Sequence, residues 1–165
     1  MSLRVAKILL VAAIAFFYTL VVFNNSTDYA SNYQFVHHVL LMDTTFPGNQ
    51  GRWRAIHPDA AHTVFYDGII SWEALTMVLA WIGAIQLARA LRKPAAAFNR
   101  AKRFSVIALT IALLLWFVAF ISVGGEWFLM WQSKIWNGQE AAFRMFACTG
   151  IVFLLLAMPE SEGQP

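Results

Sequence analysis

Residues Phe104–Phe128, FSVIALTIALLLWFVAFISVGGEWF, decide the fold. The run holds no charge before Glu126, and wound as a helix it is about 37 Å long at 1.5 Å per residue. A bilayer's hydrocarbon core is about 30 Å thick and takes about 20 helical residues to cross. No water reaches the backbone there, so a crossing segment must pair its amides within its own helix. Val5–Phe23, Ile69–Ala88 and Ala141–Met158 are stretches of the same kind. The sequence therefore predicts an all-α membrane protein, a four-transmembrane-helix bundle forming a single domain over residues 1–165. Its hydrophobic fraction of 59% agrees, since soluble chains average about 45–50%.

The net charge of +3 invites a nucleic-acid reading, which the positions of the charges exclude. Arg89, Arg92, Lys93, Arg100, Lys102 and Arg103 lie in or beside the link between spans two and three, and Arg4 and Lys7 open the chain. Arg52, Arg54, Lys134 and Arg144 fall on the opposite side. By the positive-inside rule the richer side is cytoplasmic, with anionic lipid headgroups as its partner. The expected layout follows: external segment 24–67, cytoplasmic link 89–103, external loop 129–140 and cytoplasmic tail 159–165. No A-x-A-like cleavage site precedes Asn24-Asn25-Ser26-Thr27, so span one reads as a retained anchor. Cys148, alone among the residues of its type, excludes an intrachain disulfide and reads as a buried apolar thiol.

The external segment predicts a partly helical cap between helices one and two. Ser31-Asn32-Tyr33-Gln34 fits a capping box, with Ser31 as N-cap, ahead of an amphipathic run through Met42. Pro47-Gly48 marks a turn. Pro58-Asp59 reads as a helix start, and a break or kink is expected near Asp67-Gly68, because an unbroken helix from Pro58 to Arg92 would be about 52 Å long, more than one membrane thickness. Pro94 ends helix two. Ala80, Ala84 and Ala88, with Gly83 beside them, make a small-residue ridge for close helix contact. Gly124-Gly125 reads as a kink or a close contact. Trp72, Trp127, Trp131 and Trp136 belong at the outer interface; Trp81 and Trp116 lie deeper, as packing residues.

Two groups of residues could carry chemistry. Glu73, Glu126 and Arg144 lie near the outer ends of their helices, where unpaired charge is costly; the expectation is an ionic clasp with Arg144 bridging the carboxylates, or a polar pocket. His37, His38, His57 and His62 all fall in the external segment and invite a metal or haem reading, although adjacent histidines diverge on a helix and no H-E-x-x-H occurs. Asp28, Asp43, Trp53 and Arg54 mark a recognition surface. No nucleophile–base frame, P-loop or dinucleotide pattern is present.

The strings Asn25-Ser26-Thr27-Asp28-Tyr29, Phe35 through Asn49 with its D-T-T-F-P-G-N core, Trp53-Arg54-Ala55-Ile56 and Trp72-Glu73 together resemble the bacterial family of predicted small integral membrane proteins, domain of unknown function 2165. The resemblance covers nearly the whole chain and implies a four-span inner-membrane protein with no established activity or cofactor. The functional expectation is a non-enzymatic accessory or stabilising subunit, without a cofactor, that docks on another integral membrane protein or on itself through the ridge and the cap. The alternative is a redox or metal-handling protein holding haem, an ion or a quinone on the external side. A small transporter ranks last, because ionisable residues at mid-membrane are missing.

Overall fold

The computed structural model of the protein describes residues 1–160; of the expected tail 159–165, residues 161–165 lie outside the described residues. Every regular element among the described residues is helical: α1 (Ser2–Thr27), α2 (Tyr29–Leu41), α3 (Asp59–Ala90), α4 (Ala95–Ala101), α5 (Arg103–Leu114), a π-helical continuation of α5 (Leu115–Trp127), and α6 (Gln139–Ala157). Short 3-10 turns cover Gln50–Arg54 and Met130–Gln132. Four helical stretches are long and apolar enough to cross a membrane: Ser2–Thr27, Asp59–Ala90, Ala95–Trp127 and Gln139–Ala157.

Three local expectations are corrected. The first concerns α3, which runs unbroken through Asp67-Gly68 for 32 residues, about 48 Å, longer than the hydrocarbon core is thick. A glycine inside a helix costs only about 1 kcal/mol, and the cap offsets it: Tyr66 is buried and the Tyr29 hydroxyl donates to Asp67 Oδ1 at 2.9 Å. The second is the start of α2. Asp28 is its N-cap, one residue beyond α1, and Ser31 lies inside the helix, its hydroxyl donating to Asp28 Oδ1 at 2.9 Å. The third is the link after α3. Pro94 follows a turn and caps α4, so the link is itself helical and feeds α5. Pro47-Gly48 does turn, with Gly48 at φ +76°.

The bundle core joins Val11, Tyr18, Leu87, Phe98, Leu109, Leu115 and Leu156 from all four spans. Leu9, Phe16, Leu75, Phe117, Ile151 and Leu154 point outward, the apolar exterior that lipid solvates. Cys148 is exposed on this exterior and is not a buried thiol; Trp81 is also exposed, although its indole donates to Thr19 Oγ1 at 3.0 Å. The alanine ridge is consumed within the chain: Ala80 and Ala84 are buried, Ala80 clustering with Ala15 of α1 and Ala108 of α5, while Ala88 is exposed. Gly83 is what lets α3 and α5 touch, because a β-carbon there would stand 2.6 Å from the Ser105 backbone nitrogen.

Above the bundle, Val36, Val39, Leu40, Met42, Tyr66, Phe128 and Met130 form a second core, which fixes the cap. The D-T-T-F-P-G-N loop is laced to the loop after the π segment. Thr44 Oγ1 donates to Ser133 Oγ at 2.8 Å, and Gln132 Oε1 accepts from the Phe46 amide at 3.1 Å and from Asn49 Nδ2 at 3.0 Å. These contacts explain why the string is polar without being solvent-facing throughout.

Candidate functional site

Glu73 sits on the fourth turn of α3, only 3% exposed. Its partner comes from α1: Asn25 Nδ2 donates to Glu73 Oε2 at 2.7 Å. Asn32 of α2 in turn donates to Asn25 Oδ1 at 2.8 Å, so three helices contribute to one polar chain. Among the described residues only Oε2 of Glu73 accepts a protein hydrogen bond. The carboxyl also lines a chamber of about 260 Å³ with Asn25, Asn32, Tyr66, Trp116 and Phe120. Below it, the Trp116 indole donates to the buried Tyr18 hydroxyl at 2.9 Å.

A second, larger cavity of about 420 Å³ adjoins the chamber through Phe35, Val36, Ile69 and Phe120, which line both. Its other walls include Val64, Gly68 and Trp72 of α3 and Val118, Val123 and Gly124 of the π segment. The i→i+5 winding of that segment matters here. Ser122 Oγ reaches back five residues to the Phe117 carbonyl at 2.9 Å, and such wide turns are rare and recur at functional sites. The Trp72 indole donates to the Ile111 carbonyl at 2.9 Å, just before the winding changes. Gly125 permits close contact, as anticipated, since a β-carbon would collide with the Gln139 side chain.

The expected ionic clasp does not form. Glu126 and Arg144 are both exposed, and among the described residues no ion pair joins either of them to Glu73. Glu73 alone is buried, and an uncharged amide, not Arg144, satisfies it. The other polar cluster among the expected residues is split by geometry. His37 of α2 and His62 of α3 meet Nδ1 to Nδ1 at 2.8 Å, with Asp59 Oδ1 at 3.8 Å and 3.7 Å from them. His38 turns away, pairing with Asp43 at 2.7 Å and stacking on Trp136. His57 is exposed. Of the expected recognition surface, Trp53 is 76% exposed and flanks Arg54 together with Trp127, the guanidinium 5.9 Å and 5.4 Å from the two rings. Asp28 is the single residue joining α1 to α2, C-cap of one and N-cap of the other.

A clasp does exist, at the opposite end of the bundle, where the sequence was read only as a topology signal. Lys7 is 1% exposed and donates to Glu160 Oε1 at 2.6 Å and to the Met158 carbonyl at 2.8 Å. Arg4 pairs with Glu160 Oε2 at 3.2 Å and reaches the Lys93 carbonyl at 2.7 Å. Lys102 donates to the same Met158 carbonyl at 2.6 Å. Burial alone would raise the Glu160 carboxyl, but hydrogen bonds from Lys7 and Arg4 and the nearby ammonium charges hold it below the usual glutamate range. Both described ends of the chain therefore lie together. The available signal was a lysine inside an apolar span facing a glutamate just past another.

The chain matches the family of predicted small integral membrane proteins of unknown function, DUF2165, over residues 3–159. The chain belongs to this family. No curated protein and no solved structure matches it. The family match spans the cap, the Glu73 chamber and the clasp residues Arg4, Lys7, Lys102 and Met158, and it ends one residue before Glu160.

Proposed function

We propose that this family member is a non-catalytic inner-membrane protein that holds a membrane-dissolved amphiphile beneath its cap, with the cap external and both ends cytoplasmic. The observation that carries the reading is the adjacency of the two cavities: an apolar cleft of about 420 Å³ that shares Phe35, Val36, Ile69 and Phe120 with a chamber lined by Glu73, one of whose carboxyl oxygens accepts no protein hydrogen bond among the described residues. Ligand sites typically measure about 300–1,000 Å³ and combine apolar walls with few polar groups. The cleft would take an acyl or isoprenoid chain, and the chamber a small head that donates a hydrogen bond to Glu73. The concentration of eight of the twelve basic residues at the clasp end supports the orientation.

Of the alternative expected from the sequence, a redox or metal-handling protein holding haem, an ion or a quinone on the external side, this reading keeps only a quinone-like amphiphile and no redox step. The accessory-subunit reading loses its main surface, because Ala80 and Ala84 already pack inside the chain; the Trp53–Arg54–Trp127 stack on the cap is the surface left to it. Mass spectrometry of organic extracts from protein purified in mild detergent separates the two. Gly68 lines the cleft, and a β-carbon there meets nothing within 4 Å, so Gly68→Phe fills the cleft without a clash at the backbone. The expected result is an amphiphile enriched with wild type and lost with Gly68→Phe at unchanged thermal stability. Identical extracts refute the ligand reading, and a stoichiometric protein partner in both preparations favours the accessory role.

A further inference from the structure

The geometry points to a divalent metal site, of the zinc class, built from His37 Nδ1, His62 Nδ1 and Asp59 Oδ1 at the root of the cap. It is independent of the amphiphile reading and uses none of its residues. Three observations converge on it.

The first is the tautomer of His62. This ring is fully buried, and its Nε2 lies 2.7 Å from the Ile56 carbonyl. A carbonyl only accepts, so Nε2 carries a proton, and in the neutral ring Nδ1 then presents a lone pair toward His37. Metal-ligating histidines are oriented in this way, by a backbone carbonyl on the second nitrogen. The second is the spacing. A tetrahedral ion with bonds of about 2.0–2.1 Å needs ligand atoms about 3.3 Å apart. The observed separations of 2.8, 3.7 and 3.8 Å bracket that value, and small rotations of two partly exposed side chains would equalise them. The third is the chemistry of the set. Two imidazoles and a carboxylate suit first-row divalent ions, and three protein ligands with a fourth position open is an established zinc arrangement. Asp59 is 83% exposed, so the open position faces water.

Without metal, His37 donates its Nδ1 proton to His62. To ligate, His37 must shift that proton to Nε2, which its partial exposure allows through solvent. The shift keeps the ring neutral and frees the second lone pair. Bound metal would join α2 to the first turn of α3, and so tie the cap to the bundle. His38 and His57 take no part: one is committed to Asp43 and the other lies outside the cluster.

The test uses full-length protein in detergent, stripped with EDTA and titrated with cobalt(II) chloride, followed by its visible d–d absorption and then by displacement with zinc chloride. The expected result is one cobalt per chain, displaced by one zinc. His37→Gln and Asp59→Asn should each weaken binding tenfold or more, while His57→Ala stays within tenfold of wild type. Asp59 is exposed and bears little on folding, so it decides the matter if His37→Gln proves unstable. No stoichiometric cobalt in wild type overturns the assignment and leaves a plain histidine–histidine hydrogen bond. A loss of less than tenfold in Asp59→Asn, or a tenfold loss in His57→Ala, overturns it equally.

Discussion

Replacing Glu160 with glutamine should loosen the bundle at its clasp end. Glu160 is 11% exposed and Lys7 1%, and the amide would leave Lys7, Arg4 and Lys102 converging without a counter-charge. Removing one member of a buried ion pair costs about 3–5 kcal/mol; the residual exposure of Glu160 and Arg4 places the loss near the lower figure, about 3 kcal/mol. For domains of about 150–250 residues, 1 kcal/mol corresponds to about 2–4 °C, so the unfolding midpoint should fall by about 6–12 °C. Thermal unfolding in a single detergent, followed by tryptophan fluorescence, measures it. The decisive step is the double-mutant cycle with Lys7→Met. Removing both charges leaves neither stranded, so the double variant should recover at least about 1 kcal/mol relative to the sum of the single losses. Strict additivity would refute the clasp as a coupled unit.

Four other outcomes follow from the same contacts. Because the folded Glu160 pKa is depressed, its contribution is complete above the unfolded-state value and disappears as pH falls through the folded one; wild type should lose stability in that acidic window and Glu160→Gln should lose less, as a pH series of melts would show. Gly83→Ala forces a methyl against the Ser105 backbone, and overpacking of this kind costs about 1–3 kcal/mol, readable as a lower midpoint; an unchanged midpoint would mean that α3 and α5 separate freely. Trp116→Phe strands the buried Tyr18 hydroxyl at about 1–3 kcal/mol, and adding Tyr18→Phe should restore part of the loss in the same melt. Arg144→Leu, on an exposed position of α6, should leave the midpoint unmoved; a clear drop would revive the pairing with Glu73 or Glu126.

The spans were legible because hydrophobicity over about 20 residues is a property of the segment itself, insensitive to its neighbours. Local punctuation was less so. Asp67-Gly68 carries the composition of a break, yet Tyr29 and the packing of Tyr66 hold the helix through it, and those contacts come from a segment 38 residues away in sequence. Glu73 was recognisable as a buried charge, but its partner was not: Asn25 looked like a loop residue and became the last buried turn of α1. The histidines divided for a similar reason. His37 and His62 are 25 residues apart, and only the docking of α2 on α3 brings them into contact, whereas spacing rules register neighbours on one helix. Lys7 and Glu160 lie at opposite ends of the chain, and their pairing follows only once the number of crossings returns both ends to one side.

The continuity of α3 makes it a lever. A close backbone approach, to α5, is at Gly83, about 32 Å from His62 and about 10 Å from Ala90 at helical rise. A rod pivoting there magnifies any shift at the short arm about threefold at the long one. On that geometry, a half-ångström shift where Arg4 of the clasp holds the Leu91 and Lys93 carbonyls would move the His62 end of α3 by about 1.5 Å.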